Sequence, residues 1–220
     1  MRPAVSALAS IAVAAAILGC SVTAVLAARF SYPWFSAGLY NSHQLTKAQM
    51  QANYDRVIEY SLFPWVRELH FETLPMSDAG RQHFAEAKAI FQLFVQGGLI
   101  ALVVAVVLGI WLWRRHRSSG YLTAGAIIAL ATPVVLAIPL AIDFDRAFVV
   151  FHQVAFDNEL WIFDPRTDPI INYLPQALFM RNAFAILVVM ILLAILAIML
   201  GGVLRRRAGS RGEPVAVNPG

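Results

Sequence analysis

"AFAILVVMILLAILAIMLGGVLRRR", Ala183 to Arg207, is the stretch on which the fold turns. From Ala183 to Leu204 no side chain is ionisable, and three arginines follow at once. A helix of roughly 20 such residues spans the ~30 Å of hydrocarbon in a bilayer. Lipid offers backbone N–H and C=O groups no partners, so a run this long is a helix and not an open strand. Three more runs of the same character lie at 1–28, 90–113 and 121–142, beside the first at 183–204. Composition agrees, with 59% hydrophobic and 14% charged residues in a chain of 220, far from the balance of a soluble domain. The chain reads as an all-α membrane protein of four transmembrane helices with a small extracytoplasmic cap.

Orientation follows from the arginines. Arg2, the loop 114–120 with Arg114, Arg115 and Arg117, and the tail 205–220 hold clustered basic residues with Glu213 as their one acid. The positive-inside bias makes these segments, and so both termini, cytoplasmic. The remaining segments, 29–89 and 143–182, then form the cap outside the membrane and carry all the other carboxylates. The net charge of +4 arises mainly on the cytoplasmic side, where it suits anionic lipid, and no nucleic-acid-binding module accompanies it. The tail, rich in Gly, Pro and Arg, reads as disordered.

Local signals organise the cap. "TKAQMQANYDRVIEYSLF" repeats apolar positions at Met50, Tyr54, Val57 and Ile58 behind Thr46, an amphipathic helix with its N-cap. Pro64 and Pro75 make "FPWVRELHFETLP" irregular or a short hairpin. Ser77 or Asp78 then caps a helix that continues into the second span. The tryptophans Trp34, Trp65 and Trp161 suit the membrane interface. Pro133 and Pro139 predict a kink in the third span. The single cysteine, Cys20, rules out an intrachain disulfide. Its setting "ILGCS" resembles a lipoprotein cleavage signal, but the apolar run continues to Ala28, which favours an uncleaved first span.

No acidic or basic residue lies within the body of any span, so chemistry is expected at the outer surface. Of the five histidines, His116 sits among cytoplasmic arginines, His43 lies in a polar stretch, and His70 stands between Glu68 and Glu72. His83 and His152 differ, because each falls where a helix meets the outer leaflet. If 143–160 is helical, Asp145, His152 and Glu159 form one stripe, with Phe148 and Phe156 four residues to either side of the ring. A carboxylate would then orient an imidazole that aromatics keep dry, the setting of a general base. A surface or backbone-bonded histidine is the plainer alternative. The serine-hydrolase signature Gly-x-Ser-x-Gly is missing, and scattered histidines with acids make a weak zinc pattern. "HQVAFD", His152 to Asp157, has the H-x4-D spacing of glycerolipid acyltransferases, a pattern too short to decide anything.

Three blocks carry a family resemblance: "NYDRVIEY" (Asn53 to Tyr60), "HFAEAK" (His83 to Lys88) and "FHQVAFDNELWIFDPRTDPIINYLPQALF" (Phe151 to Phe179). In order and placement they resemble the bacterial lipoprotein intramolecular transacylase (Lit) family. The resemblance implies a multi-pass protein of the bacterial cell membrane that works at the outer leaflet. It implies transfer of the sn-2 acyl chain of a diacylglyceryl-cysteine lipoprotein to that lipoprotein's N-terminal amine, giving a lyso-form. It further implies His83 and His152 as catalytic residues, and Lys88, Phe151, Phe156, Asn158 and Trp161 as substrate contacts. The partners implied are a diacylated lipoprotein and membrane lipid, with no metal and no cofactor. Which histidine is base and which acid stays open. The competing reading is a non-enzymatic membrane scaffold whose cap binds lipid or another envelope protein.

Overall fold

The computed structural model describes residues 2–38 and 44–210, without the side chains of Thr132 and residues 134–141. His43 lies outside the described residues. The described residues are helical and irregular, with helices α1 (Arg2–Ala27), α2 (Tyr32–Phe35), α3 (Lys47–Leu62), α4 (Asp78–His116), α5 (Gly120–Ile142), α6 (Phe144–Ala155) and α7 (Gln176–Gly209), and short 3-10 turns at Arg29–Ser31 and Pro169–Asn172. Among them α1, α4 and α7 are long and apolar enough to cross a membrane. Helix α5 has 23 residues and runs without a break through Pro133 and Pro139.

Helix α1 is the centre of the bundle, packing on α4, α5 and α7. Its apolar stretch is 61% buried inside the protein, against 17% for α4 and 11% for α7, so α4 and α7 turn most of their apolar surface outward. The α1–α4 crossing is made by glycines: a Cβ placed on Gly98 would fall 2.7 Å from the Gly19 Cα. Small residues at such a crossing let backbones approach and gain dispersion contacts, the force that joins helices where lipid removes the hydrophobic one. Hydroxyls inside α1 bond its own carbonyls, Ser21 Oγ donating to Ile17 O at 2.7 Å, so they add no unsatisfied group.

At the end reached after α4, Arg117 closes the helix with φ 49, the left-handed residue that commonly follows a helix. Ser119, buried, donates to the Gly201 carbonyl at 3.0 Å and ties the loop to α7. Helix α7 continues through Arg205, Arg206 and Arg207 to Gly209. The expectation of disorder from Arg205 onward is corrected there: the last turn is helical, and Arg205 Nη1 donates to Thr123 Oγ1 at 3.2 Å.

The opposite end carries a second apolar core in which α3, the loop after it, the start of α4 and the segment before α7 meet. Thr46 and Gln49 form a reciprocal capping box at the start of α3, which satisfies two N–H groups that the first turn leaves free. Tyr32 stacks on Tyr54 at 4.3 Å and donates to the Tyr173 carbonyl at 2.9 Å. The proline-bounded stretch after α3 is irregular, the first of the two forms its prolines allow, with Leu69 and Phe71 turned inward.

Ser77 is the N-cap of α4, its Oγ accepting from Gly80 N at 2.9 Å. The clasp extends to Asp168, 3% exposed, whose carboxylate accepts from Ser77 N at 2.8 Å, Ser77 Oγ at 2.7 Å and Thr167 Oγ1 at 2.8 Å. A carboxylate there also faces the positive end of the helix. Gly80 leaves room for it, since a Cβ at that position would meet Asp168. The two long interhelical segments are thereby pinned together just under two helical turns below His83.

Candidate active site

His83 lies in the second turn of α4, and the clasp at Ser77 sets where that turn sits. His152 lies in the last turn of α6, a short amphipathic helix capped by Asp143, whose Oδ1 accepts from Arg146 N at 3.0 Å. Both imidazoles are buried, at 8% and 9% exposure, and their centroids are 5.9 Å apart. Rings close the space around them. Phe156 lies 4.8 Å and Phe163 5.5 Å from His83. Phe148 at 4.2 Å, Trp161 at 4.9 Å and Phe151 at 5.3 Å surround His152.

The expected Asp145–His152–Glu159 stripe does not form. Helix α6 stops at Ala155, and Phe156 adopts an extended conformation, so Glu159 belongs to the following turn. The cause is local: Asn158 Oδ1 accepts from Leu160 N at 3.0 Å, and its carbonyl accepts from Trp161 Nε1 at 3.1 Å. Such an asparagine turn offers the backbone an alternative to another helical turn. The His152 ring is oriented by a carbonyl instead of a carboxylate, with Nδ1 2.7 Å from Phe148 O. A carbonyl only accepts, so Nδ1 carries the hydrogen and neutral His152 keeps its lone pair on Nε2.

Electrostatics favour two neutral rings. Burial pulls His83 down to about 4, His152 beside it adds to the fall, and Glu86 opposes it. Burial also lowers His152, against the hydrogen bond to Phe148 O. Nδ1 of His83 is buried with no hydrogen-bond partner among the described residues, a deficit of ~1–3 kcal/mol. A pH dependence of stability follows. The unfolded imidazole takes its proton near 6.5 and folded His83 near 4, so between these values the unfolded state binds more protons. Stability is full above pH 6.5 and falls as pH drops towards 4, by about 3 kcal/mol from this ring. Thermal midpoints in detergent across that range should decline in the wild type and decline less in His83→Gln.

Of the expected substrate contacts, Phe151, Phe156 and Trp161 stand against the histidines, as above. Asn158 reaches the site through Glu86, its Nδ2 donating to both carboxylate oxygens at 3.1 Å. Lys88 points elsewhere: its ammonium donates to the Val66 carbonyl and lies 4.3 Å from the centre of the Tyr60 ring. That places it as a tie between α4 and the irregular loop. Glu86 was not singled out from the sequence, although its place three residues after His83 put it on the same helical face. His70 is exposed on the loop, and His116 packs on Trp111 at 5.2 Å, far along α4. Among the described residues no three His, Cys, Asp or Glu side chains converge as a metal site would require.

Fold and site together define an all-helical integral membrane enzyme with a desolvated histidine pair at one end of its bundle. The model of the family described as lipoprotein intramolecular transacylase Lit matches residues 7–179. The solved structure of the membrane integral Lit from Bacillus cereus is similar at a TM-score of 0.85 and 31% identity, over 96% of this chain and 98% of that one. Two structures of that protein with one histidine replaced by arginine or by alanine each align at a TM-score of 0.80 and 31% identity, over 96% of this chain and 95% and 96% of theirs. A search of curated proteins finds no match. The chain belongs to the Lit family of lipoprotein intramolecular transacylases.

Proposed function

We propose that this protein moves the sn-2 acyl chain of a diacylglyceryl-cysteine lipoprotein onto the lipoprotein's own N-terminal amine, leaving a lyso-form. The observation that carries the reading is the pair of buried rings, 5.9 Å apart in an aromatic pocket, in a chain of this family. In the transfer the amine nitrogen adds to the ester carbonyl carbon, and the bond from that carbon to the glyceryl oxygen breaks. One proton leaves the nitrogen and one arrives on the glyceryl oxygen, so nothing else is consumed. Ester and amine share one molecule, and holding them together can supply about 7 kcal/mol or more.

His152 is the base in this scheme. With Nδ1–H held on Phe148 O, its Nε2 lone pair takes the proton from nitrogen and returns it to the leaving oxygen. His83, neutral and with a buried ring nitrogen otherwise unpartnered among the described residues, donates to the oxyanion. Phe151, Phe156 and Trp161 line the glyceryl and acyl path and keep water out, which strengthens both interactions. Asn158 contributes through Glu86, and Lys88 by fixing the loop on α4. In the membrane α5 is the fourth span, both termini are cytoplasmic, and the histidine pair lies at the outer leaflet, within reach of a diacylated substrate held among lipids.

The test reads acyl position, because total mass is unchanged. Expressed in a bacterium whose lipoproteins carry a free N-terminal amine, the protein should convert their N-terminal peptides to an N-acyl, mono-acyl-glyceryl form in tandem mass spectra. Well-expressed protein that leaves both chains on glycerol would defeat the proposal.

A further inference from the structure

Glu86 lies one helical turn from His83 on α4, and it differs from the cap carboxylates that arginines hold. Glu59 and Glu72 meet Arg29 or Arg56, and Asp164 meets Arg166. Glu86 meets amide donors instead: Gln82 Nε2 gives a hydrogen bond to Oε1 at 3.0 Å, and Asn158 Nδ2 spans both oxygens at 3.1 Å. No ion pair to it occurs among the described residues. These two donors, Gln82 first, hold the carboxyl below its usual range, while nearby His83 is neutral. The carboxylate is therefore charged, aimed by two side chains, half-buried, and adjacent to the reacting pair without a cation.

We infer that Glu86, positioned by Asn158 and Gln82, seats the primary ammonium that must reach the histidine pair. The inference rests on the transacylase reading and names how that site recognises its substrate. A carboxylate two or three bonds from amide donors keeps lone pairs free for a further charge-assisted hydrogen bond, stronger than a neutral one. It would hold the protonated amine, the form that predominates at neutral pH, beside the histidine pair, where one proton passes to solvent to free the attacking lone pair and the second is the one His152 carries to the glyceryl oxygen. Asn158 thereby acts as a positioning residue. A lipoprotein N-terminus and the ethanolamine headgroup of a phospholipid both present this chemistry.

The test measures binding in full-length His152→Gln protein, where no transfer consumes the ligand, in phosphatidylcholine nanodiscs. The probes are a diacylglyceryl-cysteine peptide with a free amine and its N-acetyl twin. The free amine should bind about tenfold more tightly, and adding Glu86→Gln should bring the two to equal affinity, with Glu86→Asp keeping part of the preference. Glutamine is nearly isosteric and still accepts from Asn158, so the fold is retained. Phosphatidylethanolamine that erases the preference shows the lipid sharing the seat, and a preference that survives it restricts the seat to the peptide. Equal affinities without the Glu86 change, or a preference that survives Glu86→Gln, would overturn the inference. Acyl transfer by the otherwise wild-type protein is scored separately, so a failed transacylase reading is not confused with a failed ammonium seat.

Discussion

His152→Gln should lower acyl transfer by about a thousandfold or more, the scale of removing a general base from a dry site. Glutamine keeps an N–H for the Phe148 carbonyl but has no basic lone pair, so the loss isolates the proton-transfer role from the packing role. His83→Gln should also be severe, because the oxyanion loses a donor inside an aromatic pocket where each hydrogen bond counts for more than in water. The double variant should be scarcely worse than the stronger single one, since the two rings serve one transition state. Multiplicative losses would mean that the histidines act in separate steps. Asp145→Asn and Glu159→Gln should both leave the rate within about threefold, because the His152 ring is aligned by a backbone carbonyl. Positional mass spectrometry of the product, normalised to membrane expression, reads all of these.

The second large effect concerns the bundle. Gly98→Leu should destabilise the protein by roughly 3 kcal/mol or more and sharply cut the yield of monodisperse material, because a Cβ at Gly98 would fall 2.7 Å from the Gly19 Cα. Backbone on both sides cannot yield as a flexible side chain would. Its neighbour supplies the control. A Cβ on Gly97 meets nothing within 4 Å, so Gly97→Leu should leave the thermal midpoint in detergent within a few degrees of wild type. Equal behaviour of the two leucine variants would show that the α1–α4 contact contributes little. The comparison also bears on the site, since α4 carries His83 and any shift of its crossing with α1 moves that ring relative to α6.

Much of this was legible in the chain because the signals are local. Twenty apolar residues in a row demand a helix whatever surrounds them, and Thr46 and Ser77 announce the starts of α3 and α4 through hydroxyls that reach only three residues. Phe148, four residues before His152, was equally a property of one helix. Other features depend on segments that meet only after packing. The approach of His83 to His152, the bond from Asn158 to Glu86, the grip of Asp168 on Ser77 and the turn of Lys88 towards Val66 all join residues from different segments of the chain. Periodicity carries no term for such pairs, and where it was extended past Ala155 to Glu159 a single asparagine turn overruled it. The sequence by itself determined the membrane-spanning helices, their caps and the two histidines worth watching. Only the tertiary structure decided that these rings share one dry pocket and which carboxylate stands beside them uncompensated, because those outcomes arise from packing between distant segments and from the desolvation that packing imposes.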